Sequence, residues 1–255
     1  MPDQINAPSV IFFPPPSGRI ELGSEVHVWR AQLDLGDGPR AKLEQTLSAD
    51  ERARAGRFHF EKDRHHYIAG RGSLRAILGR YLDLEPDQVR FSYNAFGKPG
   101  LDPGAHQSSL HFNLAHSHGL ALFAFNRNRQ VGIDVEWIRP DFATHEIALR
   151  FFSPPEVSAL CSLPSSLQPT AFFNCWTRKE AFIKARGLGL SLPLDRFVVT
   201  LAPDAAPALL SAQGDPQAHH RWQLRELNVG DNFAAALAVE GRDWELKCWE
   251  CSSEP

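Results

Sequence analysis

Hydrophobic and polar positions change their spacing several times along the chain, and each change predicts an element. Residues 25–33 (EVHVWRAQL) alternate as a strand does. Ser48, followed three residues later by Glu51, is a capping-box signature that predicts a helix start. From about residue 63 to 82, apolar side chains recur on one side of a predicted long helix. The other side of this helix is basic, with Arg64, Arg71, Arg75 and Arg80.

The second half of the chain repeats this mixture of strands and one dominant helix. VGIDVEW, residues 131–137, reads as a strand, and the clearest later helix runs from Pro169 to Ala185. Because the strands do not alternate regularly with helices, the pattern predicts an α+β class built on antiparallel sheet. We predict an N-terminal arm at 1–20, which prolines interrupt, and two halves at 21–129 and 130–255.

Composition narrows the range of partners and compartments. The chain has 27 basic and 30 acidic residues and a formal net charge of -3, which gives no global reason to expect a nucleic acid or an anionic membrane as partner. No apolar run approaches the ~20 residues of a membrane helix, and four scattered cysteines suit a reducing compartment. We therefore expect a cytoplasmic protein. The Cys248-to-Cys251 CxxC lacks a second ligand pair nearby, so zinc or redox chemistry there is a weak alternative.

An acidic strand and a later helix carry the chemistry that stands out. On an extended strand, Asp134 and Glu136 point to the same face, where two carboxylates repel each other unless a cation lies beside them. On the later helix, Glu180 and Lys184 lie one turn apart on one face. Taken alone, the first pair is most simply a solvated strand face and the second a surface ion pair. Together they provide three carboxylates for a hard divalent ion and an ammonium group for phosphate oxygens.

The same residues carry a resemblance to a known family. GIDVE, followed about 40 residues later by WTRKEAFIKARGLGL, resembles the paired signature of the Sfp-type 4'-phosphopantetheinyl transferases. Two supporting stretches lie upstream in the same order, FGKPGL at 96–101 and FNLAHS at 112–117. The resemblance covers roughly residues 47–201. It implies two similar α/β halves related by a pseudo-twofold, each an antiparallel sheet packed on a long helix, in a monomer.

The resemblance also implies an activity. Enzymes of this family take coenzyme A, break its pyrophosphate, place the 4'-phosphopantetheine arm on a serine of an apo carrier protein and release 3',5'-ADP. The acceptor is a fatty-acid, polyketide or nonribosomal-peptide carrier. By resemblance, Asp134, Glu136 and Glu180 hold Mg2+, with Mn2+ as the alternative ion. Glu180 is also the base for the serine hydroxyl, directly or through a water, and Lys184 contacts the phosphate under attack.

The coenzyme A contacts implied by the resemblance lie mostly upstream. They are Arg54, Gly97, Lys98, Pro99, Asn113 and His116, together with Lys184. Arg54 matches a basic position that the family uses for the 3'-phosphate. The family commonly has a serine directly before the histidine, whereas this chain has Ala115, which removes one hydrogen bond worth about 1 kcal/mol.

Three other readings of the sequence remain open. The same acidic set could serve a metal-dependent nuclease or another phosphotransferase, although a nuclease predicts a broad basic path for the polynucleotide. The chain could instead be a noncatalytic module that binds an acidic carrier protein through the basic helix. His111, His116 and His118 could form a zinc cluster, although no acidic or thiol partner lies beside them in the sequence.

Overall fold

The structure is a computed structural model that describes residues 10–251. Within this range, the α-helices in chain order are α1 Asp37–Gln45, α2 Ala49–Ala55, α3 Glu61–Leu82, α4 His145–Phe151, α5 Pro154–Ser162, α6 Gln168–Arg186 and α7 Ala218–Arg221. The β-strands in the same range are β1 Val26–Gln32, β2 Phe91–Tyr93, β3 Pro99–Leu101, β4 Leu110–Ser117, β5 Leu120–Arg127, β6 Val131–Trp137, β7 Phe197–Val199, β8 Leu209–Ala212, β9 Trp222–Glu226, β10 Phe233–Glu240 and β11 Leu246–Glu250. The chain is thus a mixed protein of helices and several small sheets, as the α+β prediction requires.

The described chain divides into two compact units. The first unit along the chain contains residues 12–128 and 244–251, and the second contains residues 129–243 together with 10–11. The predicted half 130–255 differs from the second unit at its end, because β11 pairs with β1 and so belongs to the first unit. Residues 1–9 of the predicted arm lie outside the described residues.

The first unit is a four-stranded sheet in the order β11-β1-β5-β4, packed against the long helix α3. Its core includes the fully buried side chains of Trp29, Leu74, Leu78 and Phe123. β5 pairs antiparallel with both β4 and β1. β1 and β11 run parallel, so the prediction of an antiparallel sheet is wrong for this one pair. Phe13 of the predicted arm hydrogen-bonds along β11 through two backbone contacts.

The predicted capping box is present at the start of α2, and its glutamate has a second task. Glu51 is 3% exposed and accepts hydrogen bonds from Arg71 and Arg75 of α3, each at 2.6 Å. Both guanidinium groups are themselves buried. Arg71 and Arg75 of the predicted basic side of α3 therefore lie in the interior and not at the surface, because the buried carboxylate of a neighbouring helix binds them there.

The second unit places α6 on a three-stranded antiparallel sheet in the order β6-β10-β9. Its core includes the buried rings of Phe172 and Phe182 on α6 and of Phe197 and Trp222 beyond it. β10 contributes three alanines to the same core, Ala234, Ala236 and Ala238. Across the described residues, none of the helices combines the length and the apolar stretch that crossing a bilayer requires.

Candidate active site

A glycine on β6 lets the helix that carries Glu180 and Lys184 come very close to the strand that carries Asp134 and Glu136. A Cβ atom added at Gly132 would lie 2.1 Å from the Ala181 carbonyl oxygen and 2.3 Å from the Ala185 amide nitrogen of α6. Real Cβ atoms do not approach other atoms so closely. Because side chains alternate along a strand, Asp134 and Glu136 lie on the same face of β6 as Gly132. The close approach therefore brings α6 next to both carboxylates.

Asp134 and Lys184 form the centre of the candidate site. The Lys184 ammonium donates to Asp134 Oδ1 at 2.6 Å. Asp134 is 4% exposed, and within residues 10–251 its second oxygen, Oδ2, is buried with no hydrogen-bond partner. Burial raises the pKa of Asp134 to about 7, against the opposing effect of Lys184 and with further increases from Glu136 and Glu180. The three carboxylates are thus close enough to interact electrostatically.

Glu180 lies on α6, one turn before Lys184, and is partly buried. Burial raises its pKa, Lys184 opposes this increase, and Glu136 adds to it. A carboxyl group with a raised pKa is a better proton acceptor near neutral pH than an ordinary surface glutamate. Asp134, Glu136 and Glu180 therefore lie near one strand–helix contact inside the second unit, within electrostatic reach of one another.

The donor chemistry of this contact fits a hard divalent cation. Carboxylate oxygens are the ligands that Mg2+ prefers, and the buried Asp134 Oδ2 beside two further carboxylates is such a donor. In the part of the chain that the structure describes, no three His, Cys, Asp or Glu side chains already form a ready metal cluster. Binding an ion would therefore require Asp134, Glu136 and Glu180 to draw closer together.

The predicted coenzyme A residues of the first unit include a tight turn between β2 and β3. Gly97 adopts a φ of +81°, a conformation that glycine takes without steric cost. The Asn94 side-chain oxygen accepts from the amides of Phe96 and Lys98, each at 2.9 Å, and so fixes the turn. Burial lowers the pKa of Lys98 to about 8. Pro99 begins β3, opposite Tyr93.

Arg54 lies at a cavity in the first unit. A cavity of about 690 Å³ is lined by Asp50, Glu51, Ala53, Arg54, Arg57, Phe58, Tyr67 and Tyr93. The Arg54 guanidinium lies 5.4 Å from the centre of the Tyr67 ring. Among the described residues, the buried Tyr67 hydroxyl has no hydrogen-bond partner. Arginines beside aromatic rings in one cavity suit a ligand that carries both a phosphate and a planar base.

Asn113 and His116 both lie on β4, but the strand does not bring them together. They are three residues apart, so their side chains point to opposite faces of the sheet. Asn113 is 5% exposed and pairs opposite Ala124, whereas His116 is exposed near the end of the strand. Ala115, where the family commonly has serine, is buried.

Sequence reasoning missed a buried ion pair directly beside the predicted site. Lys179, the residue before Glu180, is 0% exposed and lies 2.8 Å from the carboxylate of Glu156, which is 1% exposed. One signal could have identified it. Lys179 falls on the apolar stripe of α6, at helical spacing between Cys175 and Phe182, so its burial was readable from the pattern.

The two cysteines of the CxxC, Cys248 and Cys251, lie in surroundings that disfavour the thiolate form. Burial raises the pKa of both Cys248 and Cys251 to about 12, so these thiols stay protonated near neutral pH. A protonated thiol is a poorer nucleophile and a poorer metal ligand than a thiolate. The CxxC is therefore best described as part of β11 and the residue that follows it.

Comparison with known proteins points to one family over most of the chain. A family model described as the 4'-phosphopantetheinyl transferase superfamily matches residues 130–238, and one described as 4'-phosphopantetheinyl transferase, N-terminal, matches residues 41–127. The chain is 44% identical to the 4'-phosphopantetheinyl transferase HetI of Nostoc sp. over 238 residues, which cover 93% of this chain and 97% of HetI. It is 32% identical to the 4'-phosphopantetheinyl transferase Sfp of Bacillus subtilis over 198 residues, 78% of this chain and 84% of Sfp.

Proposed function

The chain belongs to the 4'-phosphopantetheinyl transferase superfamily and transfers the phosphopantetheine arm of coenzyme A to carrier proteins, and from this premise we propose how its residues share the reaction. Asp134, Glu136 and Glu180 would hold Mg2+, with Mn2+ as the alternative. Glu180 also takes the proton of the carrier serine, and Lys184 contacts the phosphate under attack. The observation that carries this proposal is the part-buried contact between Asp134 and Lys184, beside Asp134 Oδ2, which has no hydrogen-bond partner among residues 10–251.

In the proposed reaction, the carrier serine oxygen bonds to the phosphorus that carries the pantetheine arm. The bond from that phosphorus to the bridging oxygen of the pyrophosphate breaks, and 3',5'-ADP leaves with the bonding pair. The serine proton passes to the Glu180 carboxylate, whose raised pKa suits this role. Mg2+ held by the three carboxylates would neutralise part of the phosphate charge. Lys184, whose side chain is 30% exposed, adds a positive charge for a phosphate oxygen.

The first unit supplies the proposed coenzyme A contacts. Arg54, at the cavity beside Tyr67, binds the 3'-phosphate, and the turn formed by Gly97, Lys98 and Pro99 shapes the nucleotide end. Asn113 and His116 contribute from β4. Since they point to opposite faces of the strand, they contact different parts of the ligand or act through different neighbours.

Several wider features belong to the same proposal. The acceptor is an apo acyl, peptidyl or polyketide carrier protein, and neither nucleic acid nor membrane is a partner. The protein acts as a cytoplasmic monomer. The proposal of two similar halves is supported by the presence in each unit of one long helix packed on one sheet, α3 in the first and α6 in the second.

The proposal is tested by incubating the protein with coenzyme A, Mg2+ and a panel of apo carrier proteins, and by reading the mass of each carrier. We expect one carrier serine to gain the phosphopantetheine mass, and the gain to disappear when the metal is removed by a chelator. Glu180→Gln should abolish the gain while the circular dichroism spectrum and thermal midpoint stay close to those of the parent.

The matched control is Asp204→Asn, which neutralises an exposed carboxylate in the same unit. It should transfer at the parental rate. Full activity of Glu180→Gln, or transfer that is insensitive to metal removal, would refute the proposed roles of the acidic set.

A further inference from the structure

Lys179 and Glu156 form a buried ion pair that the proposed reaction does not use. Lys179 lies in the WTRKEAFIK stretch of α6, directly before Glu180, and its side chain is 0% exposed. Glu156 lies on α5 and is 1% exposed. Charged side chains are almost never buried so completely unless they are paired and hydrogen-bonded.

The Lys179 ammonium binds parts of the second unit that lie outside α6. It donates to the Leu194 carbonyl at 2.7 Å and to the Phe197 carbonyl at 2.6 Å, and it pairs with Glu156 at 2.8 Å. It also lies 4.3 Å from the centre of the Phe197 ring. These three oxygen acceptors fix the direction in which the Lys179 side chain points and hold its ammonium group in the interior.

Glu156 is held just as firmly on its own side. One oxygen accepts from the Ser153 amide at 2.8 Å and from the Ser153 hydroxyl at 2.7 Å, and the other accepts from the Val199 amide at 2.8 Å. Glu156 thereby joins the start of α5 to β7. Lys179 joins α6 to the same assembly, so the pair fixes α6 to two other elements.

We propose that Lys179, anchored to the Leu194 and Phe197 carbonyls and neutralised by Glu156, is a positioning residue that sets the rotation and axial register of α6, so that Glu180 and Lys184 face Asp134. Successive residues of an α-helix are separated by about 100° around the axis, so fixing the direction of Lys179 also fixes that of Glu180. This inference rests on the proposed roles of Glu180 and Lys184. Lys179 and Glu156 touch no reacting atom in it.

Burial of the pair points to positioning more than to stability. Replacing a buried ion pair with neutral groups is often neutral or stabilising, because the cost of desolvating two charges offsets their attraction. Neutral apolar groups, however, cannot replace the directional hydrogen bonds that Lys179 donates to the Leu194 and Phe197 carbonyls. The Gly132 contact sets how close α6 lies to β6, whereas Lys179 sets which way the helix faces.

Three variants separate geometry from stability. Lys179→Met removes the directional bonds and leaves the Glu156 charge buried, so the thermal midpoint and kcat should both fall. Lys179→Met/Glu156→Gln removes both charges, so the midpoint should recover relative to the single variant while kcat stays about 10- to 100-fold below the parent. Glu156→Gln keeps the two carbonyl bonds of Lys179, so kcat should stay within about threefold of the parent although the midpoint falls.

A purely structural role predicts the opposite pattern, in which kcat follows the midpoint through all three variants. Phe182→Leu is the matched control, because it destabilises α6 by loss of packing against Phe197 and Trp222 without removing a hydrogen bond. Assayed well below its midpoint, it should keep kcat near that of the parent. Recovery of kcat together with the midpoint in the double variant would overturn the inference. If the double variant does not fold, a kcat loss in Glu156→Gln that exceeds that of Phe182→Leu would overturn it instead.

A second measurement does not depend on turnover. Mn2+ binding, followed by electron paramagnetic resonance without coenzyme A, should weaken at least about threefold in the double variant and stay near parental in Phe182→Leu. Equal Mn2+ affinity in parent and double variant would count against the positioning role. A parent that binds no Mn2+ would instead refute the proposed metal set, and the kinetic comparison would still test Lys179 and Glu156.

Discussion

At position 132, the structure leaves no space for even the methyl side chain of alanine. A Cβ there would meet backbone atoms of Ala181 and Ala185 at less than 2.5 Å, and backbone cannot swing aside as a flexible side chain can. Gly132→Ala should therefore push α6 away from β6 and move Glu180 and Lys184 from Asp134. We expect a lower thermal midpoint and a transfer rate at least about 100-fold lower, since displacements near 1 Å have such effects. Both are measurable by calorimetry and the carrier mass assay.

Gly38 provides the control for this substitution. It lies within α1, and a Cβ at that position meets no atom within 4 Å. Gly38→Ala should leave transfer unchanged and raise stability by up to about 1 kcal/mol, because alanine favours the helix more than glycine does. A Gly132→Ala protein that matched Gly38→Ala in both rate and midpoint would show that α6 adjusts freely.

At the scale of elements, Glu51 connects α2 to α3. Burial alone would raise its pKa, but the hydrogen bonds from Arg75 and the Ser48 amide outweigh burial and lower the pKa. Glu51→Ala would leave Arg71 and Arg75 buried without this carboxylate. Breaking a buried ion pair in this way costs about 3–5 kcal/mol, so we expect a loss of that order in the free energy of unfolding by urea.

Glu44→Ala is the comparison at the surface of the same unit. Glu44 pairs with Arg64 at 3.8 Å, and both side chains are well exposed. Exposed pairs contribute about 0–1 kcal/mol, so this substitution should change the free energy of unfolding by less than 1 kcal/mol. Similar losses in the two variants would mean that burial of Glu51 does not matter. A large loss in Glu51→Ala would also count against a noncatalytic module that binds a carrier protein through the basic helix, because such a module needs Arg71 and Arg75 at the surface.

At the scale of the whole molecule, stability should depend on pH through a buried histidine of the first unit. His27 is 2% exposed, and its Nδ1 lies 2.7 Å from the Tyr81 hydroxyl. Burial lowers its pKa from 6.5 to about 4, Glu25 opposes the shift and Lys247 adds to it. Between pH 4 and pH 6.5, the unfolded chain therefore binds more protons at this histidine than the folded protein does. The contribution of neutral His27 to the free energy of unfolding is fully present above about pH 6.5. It is lost as the pH falls towards 4, by up to about 3 kcal/mol.

His27→Gln isolates this contribution from the carboxylates that titrate in the same range. The difference in unfolding free energy between parent and variant should be constant above pH 7 and should shrink as the pH falls to 4. The measurement is urea unfolding at several pH values. A difference that does not change between pH 7 and pH 4 would contradict a depressed His27 pKa.

Local patterns predicted the parts of the molecule that depend on local geometry. Alternation along residues 131–137 gave the strand and its acidic face, and the spacing of Glu180 and Lys184 gave their shared helix face. The capping box at Ser48 was also confirmed. These features depend on residues a few positions apart, whose relation a strand or helix fixes directly.

The rest required contacts between distant segments. The parallel partner of β1 is β11, near the other end of the described chain, and no local pattern encodes that pairing. Burial of Arg71 and Arg75 depends on Glu51 in another helix, so a face that looks solvated in sequence is interior in the structure. Lys179 likewise becomes a positioning candidate only once Glu156 and the carbonyls around it are known.

The pairing of β1 with β11 also has a consequence for biosynthesis. The ribosome makes β1 early and β11 only after the whole of residues 129–243, so the first unit cannot complete its sheet until the second unit has been translated. During that interval one edge of β1 lacks its native partner, and open strand edges invite pairing with other chains. Nascent protein would therefore be most exposed to aggregation, and most dependent on chaperones, just before its last strand emerges.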